Sequence, residues 1–228
     1  MKKLMLLLSL CLTACASTPK ATRIDMPGPD LSVAVHVDDL RPASEKKDKI
    51  FSLLVTSSGY GIYRKGDSTL DPPAIQAFRR VAYESLGDEV TKAPITVHHL
   101  VVYANAKSAL RKSSIGIGLG GALGGAIGGA VAGVSAQGAE PAQTNINQSI
   151  VDRNAFEKND DEYERAYYTD AENPRHASVI VIYIDATIAG KRIFVKTMAP
   201  TTVQRGQDAY SVAVQSAIQY WLSQYSAS

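Results

Sequence analysis

The chain has 228 residues, 45% hydrophobic and 20% charged, and a formal charge of +2 at pH 7. That length fits one compact domain plus extensions. A charge so close to neutral leaves no basic footprint for nucleic acid, and both cysteines, Cys11 and Cys15, fall within the first fifteen residues.

Residues Met1 to Cys15 read as a bacterial secretory signal. Lys2 and Lys3 form a positive start, and Leu4 to Leu12 form an apolar core too short to span a bilayer. The segment ends in Leu12-Thr13-Ala14-Cys15, which resembles the lipobox of bacterial lipoproteins. The other reading is an ordinary signal peptide with a chance cysteine. The resemblance implies cleavage before Cys15, a diacylglycerol on its sulfur and an acyl chain such as palmitate on its amine. It implies no other cofactor. Each buried CH2 of such chains contributes about 0.8 kcal/mol, so several chains make a stable anchor. Ala16 after the cysteine, rather than Asp, implies sorting to the outer membrane with a periplasmic domain. The mature chain would lose Lys2, Lys3 and Cys11 and keep no free thiol for a disulfide, a metal site or a nucleophile.

Residues 15–30 carry Pro19, Pro27, Gly28 and Pro29 without an apolar period and read as a lipidated tether. In Leu31 to Asp38 the alternation of Val33, Val35 and Val37 predicts a strand with one buried face. Ile50 to Thr56 predicts a second strand, and Ser57 to Tyr63 a Gly/Tyr-rich turn. Asp71-Pro72-Pro73 predicts a helix start with Asp71 as N-cap, an apolar face of Ile75, Phe78 and Ala82, and a stop at Gly87. Ile95 to Ala104 predicts a strong strand. Residues 31–106 thus form the first half of a domain.

Residues 107–138 form an insertion. Ile115 to Val134 holds only glycine, alanine and aliphatic residues, about twenty positions without a charge or a hydroxyl. Gly120, Gly124 and Gly128 recur four apart, as do Gly121, Gly125, Gly129 and Gly133. On a helix both series fall on one face and open a groove for another backbone. In water each glycine costs about 1 kcal/mol relative to alanine, whereas in lipid the need to satisfy backbone groups favours helix. The run therefore predicts contact with membrane and with other copies of the chain. Lys107, Arg111 and Lys112, just before it, are placed to hold lipid headgroups. Twenty helical residues rise about 30 Å, enough for one crossing. One crossing would split the domain, so a shallow insertion, a hairpin or an assembly of several runs stays open beside it.

Residues 139–176 are polar, then acidic from Glu157 to Glu172, and read as loop with a short helix near Asp160 to Tyr168. Its solvated tyrosines, Tyr163, Tyr167 and Tyr168, offer a protein-binding surface as a second reading. In 177–228, Ser178 to Ala189 and Arg192 to Met198 predict a hairpin turning at Gly190-Lys191. A last helix, Gln207 to Gln224, carries Tyr210, Val214, Ala217, Ile218, Trp221, Leu222 and Tyr225 on one stripe. This order predicts an α+β fold, a mostly antiparallel sheet with helices on one face, in which the last strand before the insertion and the first strand after the polar arm are neighbours.

The layout resembles two groups of small outer-membrane lipoproteins. The alternating strand followed by Asp39-Leu40-Arg41 is similar to the YajG-like set. An apolar Gly/Ala-rich insertion in such a series is similar to the TraT surface-exclusion lipoproteins, though without a second apolar segment. The run itself looks like the glycine zippers of envelope lipoproteins. These resemblances imply a non-enzymatic outer-membrane protein that oligomerises.

Competing motifs are weaker. Gly116 to Gly121 satisfies the G-x-G-x-x-G pattern but follows Arg111-Lys112-Ser113-Ser114, where a dinucleotide fold needs a strand. Adjacent His98 and His99 are expected on opposite faces of their strand, and His36 and His176 add no ligand spacing, so no metal is expected. Asp39 and Arg41 read as a pair closing a strand end. No catalytic constellation is readable. The expected partners are membrane and further copies of the chain, with another envelope protein as a further candidate.

Overall fold

The computed structural model describes residues 21–26, 29–54, 60–107, 145–168, 178–201 and 203–228, with the backbone alone for 52–54, 60, 106 and 107. Its strands are β1 (Thr22–Arg23), β2 (Val37–Asp39), β3 (Lys49–Leu54), β4 (Tyr60–Lys65), β5 (Leu70–Asp71), β6 (Ile95–Lys107), β7 (Asn147–Ile150), β8 (Val179–Ile188) and β9 (Lys191–Pro200). Its helices are α1 (Ala74–Leu86), α2 (Asp88–Lys92), α3 (Arg153–Lys158), α4 (Glu162–Ala166) and α5 (Ala209–Ala227).

The main sheet has the order β3-β4-β6-β8-β9-β7, with every pair on this path antiparallel. β2 pairs in parallel with the first three residues of the long strand β6, and β1 pairs with β5 in a separate two-stranded ribbon. The fold is α+β with a mostly antiparallel sheet. β6 and β8, the last strand before the insertion and the first after the polar arm, are direct neighbours as expected, whereas β7, unforeseen inside the arm, lies two strands away from β6. β8 and β9 form the expected hairpin, whose two turn residues, Ala189 and Gly190, both have positive φ (48° and 80°). That geometry matches the twist of a two-residue hairpin.

Alternation along β8 explains the core. Ile180, Ile182, Ile184, Ala186 and Ile188 face α1 and α5, whereas Val179, Val181 and Tyr183 face the other side. The stripe predicted on the last helix is buried in full, with Trp221 0% exposed against Phe78 and donating to the Ile193 carbonyl at 2.9 Å. Fully burying a large apolar side chain contributes about 1.5–3 kcal/mol, so this helix is held by packing rather than by propensity.

Several expectations are corrected. The helices do not all share one face: Phe156 of α3 and Ala166 of α4 cover the opposite side of the sheet. Tyr103, Tyr183 and Phe194 make that side apolar too, so it needs a cover. Leu31 to Asp38 is not one strand. Ser32–Ala34 is a 3-10 turn in which Val33 is 75% exposed, because Asp30 and Arg79 bind Ser32 and draw it inward. Strand β4 begins inside the predicted turn. Asp71 lies in β5 and does not cap α1, which starts after Pro73 without a side-chain cap. Within the predicted tether, Thr22, Ile24 and Met26 pack against the domain. Ile24 is 2% exposed, and Asp25 accepts and donates backbone hydrogen bonds with Gln215 and Ser211 of α5.

Candidate functional site: the sheet end that carries the insertion

The predicted lipidation site Cys15, the glycines Gly120, Gly121, Gly124, Gly125, Gly128, Gly129 and Gly133, and the basic residues Arg111 and Lys112 lie outside the described residues. So does the side chain of Lys107, whose backbone ends β6. What the structure gives is the stem from which they depart. β6 leaves the sheet at Lys107, and the chain returns through Asn145 into β7. Asn105 pairs with Val179, Val179 with Pro200, and Asn147 with Met198, so the departure and the return lie at one end of the sheet. Two strands, β8 and β9, separate β6 from β7. Three spacings of about 4.8 Å put the stems roughly 14 Å apart.

The first described residues come to the same end. Helix α5 runs antiparallel to β9: Tyr225 near its finish accepts from Lys191, at the start of β9. Its first turn therefore lies toward the end of β9, and there Asp25 meets Ser211 at 2.8 Å. Thr22 accepts from the buried Lys65 amine at 3.3 Å, and that amine sits 5.5 Å from the Tyr210 ring. The N-terminal segment and both stems of the insertion thus gather on one side of the domain. Among the described residues no helix is long and apolar enough to cross a membrane.

The charged clusters of the domain serve its own architecture. Between the stretches of β6 paired with β2 and with β4, residues 98–101 have no strand on that edge. Arg41 and Glu45 take its place. Arg41, 1% exposed at its side chain, donates to both oxygens of Asp39 and of Asp67 and reaches the Leu100 carbonyl. Burial would raise the Asp39 carboxyl, but hydrogen bonds from Arg41 and Lys46 outweigh it and hold the group at about 2. Burial likewise opposes the Arg41 charge, and the two carboxylates more than restore it. Asp39 and Arg41 close the strand end as the sequence suggested.

A register shift between Val97 and His99 turns both histidines toward one face, against the expectation of opposite faces. His98 Nε2 lies 3.0 Å from the Thr187 hydroxyl, and the His99 ring packs on Phe156 and Phe194 with Nδ1 2.7 Å from Glu45. The extra residue of a bulge breaks the two-residue alternation on which the expectation rested. Burial lowers His98 below the ordinary histidine range, and nearby Arg192 adds to this. Among the described residues no group of three or more His, Cys, Asp or Glu could hold a metal ion.

The described part of the polar arm, residues 145–168, holds two short helices and a strand where its sequence suggests one helix. Asp152 caps α3, Asp161 caps α4, and Glu162 joins Lys49, Arg64 and the Tyr103 hydroxyl, pinning the arm to the sheet. Tyr163 and Tyr167 stack at 5.5 Å and remain 39% and 42% exposed. Glu162 could not be singled out in a run of acids, because its role depends on Arg64, 98 positions away.

No protein-family model, no curated protein and no solved structure matches this chain.

Proposed function

We propose that this chain is a lipid-anchored protein of the bacterial outer membrane, non-enzymatic, whose periplasmic α+β domain uses the glycine-rich insertion to pack with other copies at or within the bilayer. The observation that carries this reading is the shared sheet end. An insertion whose two stems stand about 14 Å apart on one side of a single domain must go out and come back. The 37 residues of 108–144 allow an apolar arm and a return. An anchor segment arriving at the same side supports a membrane-proximal end. Glycine grooves permit close helix contact where lipid offers no hydrophobic drive.

The test is the oligomeric state of the detergent-extracted full chain, with and without Gly124→Leu and Gly128→Leu. A wild-type oligomer that the double substitution reduces to monomers agrees with the proposal; a wild-type monomer overturns the packing role. Fractionation of Cys15→Ser tests the anchor: a protein still found wholly in the outer membrane would remove it.

A second reading is a periplasmic adaptor that binds a transport or secretion component through its α+β domain. The exposed Tyr163–Tyr167 stack favours it. Here a Cys15→Ser chain without residues 107–138 stays monomeric and still binds its partner.

A further inference from the structure

Tyr183, Lys196 and Ser149 stand side by side on β8, β9 and β7 and floor a cleft of about 380 Å³ beneath α3 and α4. Phe156, Ala155 and Arg165 form its walls. Three of its four charged side chains have partners within the chain. Asp152 accepts from the backbone N–H groups of Asn154 and Ala155, Glu164 accepts from Asn159 at 2.7 Å, and Arg165 donates to the carbonyls of Phe156 and Asn159. The Arg165 guanidinium also lies 3.8 Å from the centre of the Phe156 ring.

Lys196 is the exception. It is half-buried, its amine lies 5.4 Å from the centre of the Tyr183 ring, and among the described residues no carboxylate comes within ion-pair distance of it. Burial holds this amine below the ordinary lysine range, the mark of a charge short of compensation. An anion entering the cleft would supply the missing counter-charge, and its apolar part would be covered by Phe156 and Tyr183. One ammonium suits a single carboxylate better than a doubly charged phosphate, since the backbone N–H of Ala155 at the cleft is already taken by Asp152. The volume admits a body on the order of ten to fifteen non-hydrogen atoms.

We propose that this cleft binds an amphiphilic monocarboxylate, one carboxylate on an apolar or aromatic body, with Lys196 as its counter-ion. A free organic acid and the C-terminus of a hydrophobic peptide share this chemistry. The site is independent of the lipid anchor and of the glycine-rich insertion.

Isothermal titration of the full chain in lipid nanodiscs, with empty nanodiscs as blank, tests it. The probes are 4-phenylbutyrate for a free acid and N-acetylphenylalanine for a peptide terminus, with cationic 4-phenylbutylamine and neutral N-acetylphenylalaninamide as controls that lack the carboxylate. At least one carboxylate saturates at one per chain, which of them identifies the source, and neither control does. Lys196→Met weakens that binding by about tenfold or more, the scale of one charge-assisted hydrogen bond, and Lys196→Arg largely keeps it. Ala155→Phe, an exposed change at the mouth, blocks it while leaving the melting temperature in place. The proposal is overturned if neither carboxylate saturates below about 10 mM. It is equally overturned if the amine or amide binds as well, or if Lys196→Met leaves the affinity unchanged.

Discussion

The Glu45 carboxylate accepts a hydrogen bond from the backbone N–H of Leu100 at 3.3 Å, filling the one stretch of the β6 edge that neither β2 nor β4 covers. A side chain from a charged loop thus does the work of a missing strand. Its second oxygen holds His99, and Arg41 answers the Leu100 carbonyl from the same loop.

Arg41→Met is expected to destabilise the domain by about 3–5 kcal/mol, because it leaves Asp67 without its cation and Asp39 with Lys46 alone. Urea unfolding of the variant measures this. An unchanged midpoint would show the network to be dispensable.

The same network sets a pH dependence. Asp39 titrates at about 2 in the folded chain, below the ordinary 3.8. Its contribution is fully present above pH 4 and is lost as the pH falls through 2, on the order of 2 kcal/mol in all. Asp39→Asn should flatten the stability profile between pH 4 and pH 2 of the acid titration, and a profile as steep as that of the parent would refute the assignment.

Two glycines are held by close approach. A Cβ on Gly61 would fall on the Tyr63 ring, which folds back over it and is 2% exposed. A Cβ on Gly66 would lie 2.7 Å from the backbone of Lys47 and Asp48. Gly61→Ala and Gly66→Ala should each cost about 1–3 kcal/mol by overpacking. Thermal melts decide it, and the Gly66 variant should fare no better, since backbone yields less readily than a side chain.

Lys65 is 3% exposed, its amine meets the Thr22 hydroxyl and the Tyr210 ring among the described residues, and burial lowers its pKa. A lysine whose folded pKa is depressed destabilises the fold at neutral pH, and the penalty fades as the pH rises toward its unfolded value. Lys65→Met should therefore raise the melting temperature at pH 7 and bring less benefit at pH 10. A lower melting temperature at pH 7 would mean that the amine is compensated after all.

Ala189 holds φ at 48° in the exposed turn between β8 and β9. Ala189→Gly or Ala189→Asn should stabilise the hairpin by about 1 kcal/mol, since either residue takes the left-handed conformation more readily. Chemical unfolding at constant m-value is the check.

How far such features could be read from residues alone follows their physics. Helices α1 and α5 and strands β6 and β8 are long enough to impose a clear period, and each lies where its pattern puts it. β7 is invisible in the sequence because all four of its residues are exposed, so no alternation marks it. β1 and β5 are two residues each and exist only through one another. The bulge at His98 shifts register without any glycine or proline to announce it. Arg41 was legible beside Asp39, whereas Glu45 was not, since its partner Leu100 lies 55 positions on.

The docking of Thr22 against Lys65 sets a leash length. Thr22 stands seven positions after Cys15. A fully extended chain reaches at most about 3.6 Å per residue, or roughly 25 Å. If Cys15 carries the acyl chains, the domain can neither wander far from the bilayer nor tumble freely above it. Under that anchoring, anything it meets would have to come to within a few nanometres of the membrane surface, and the side it turns toward that surface would be set before any partner arrives.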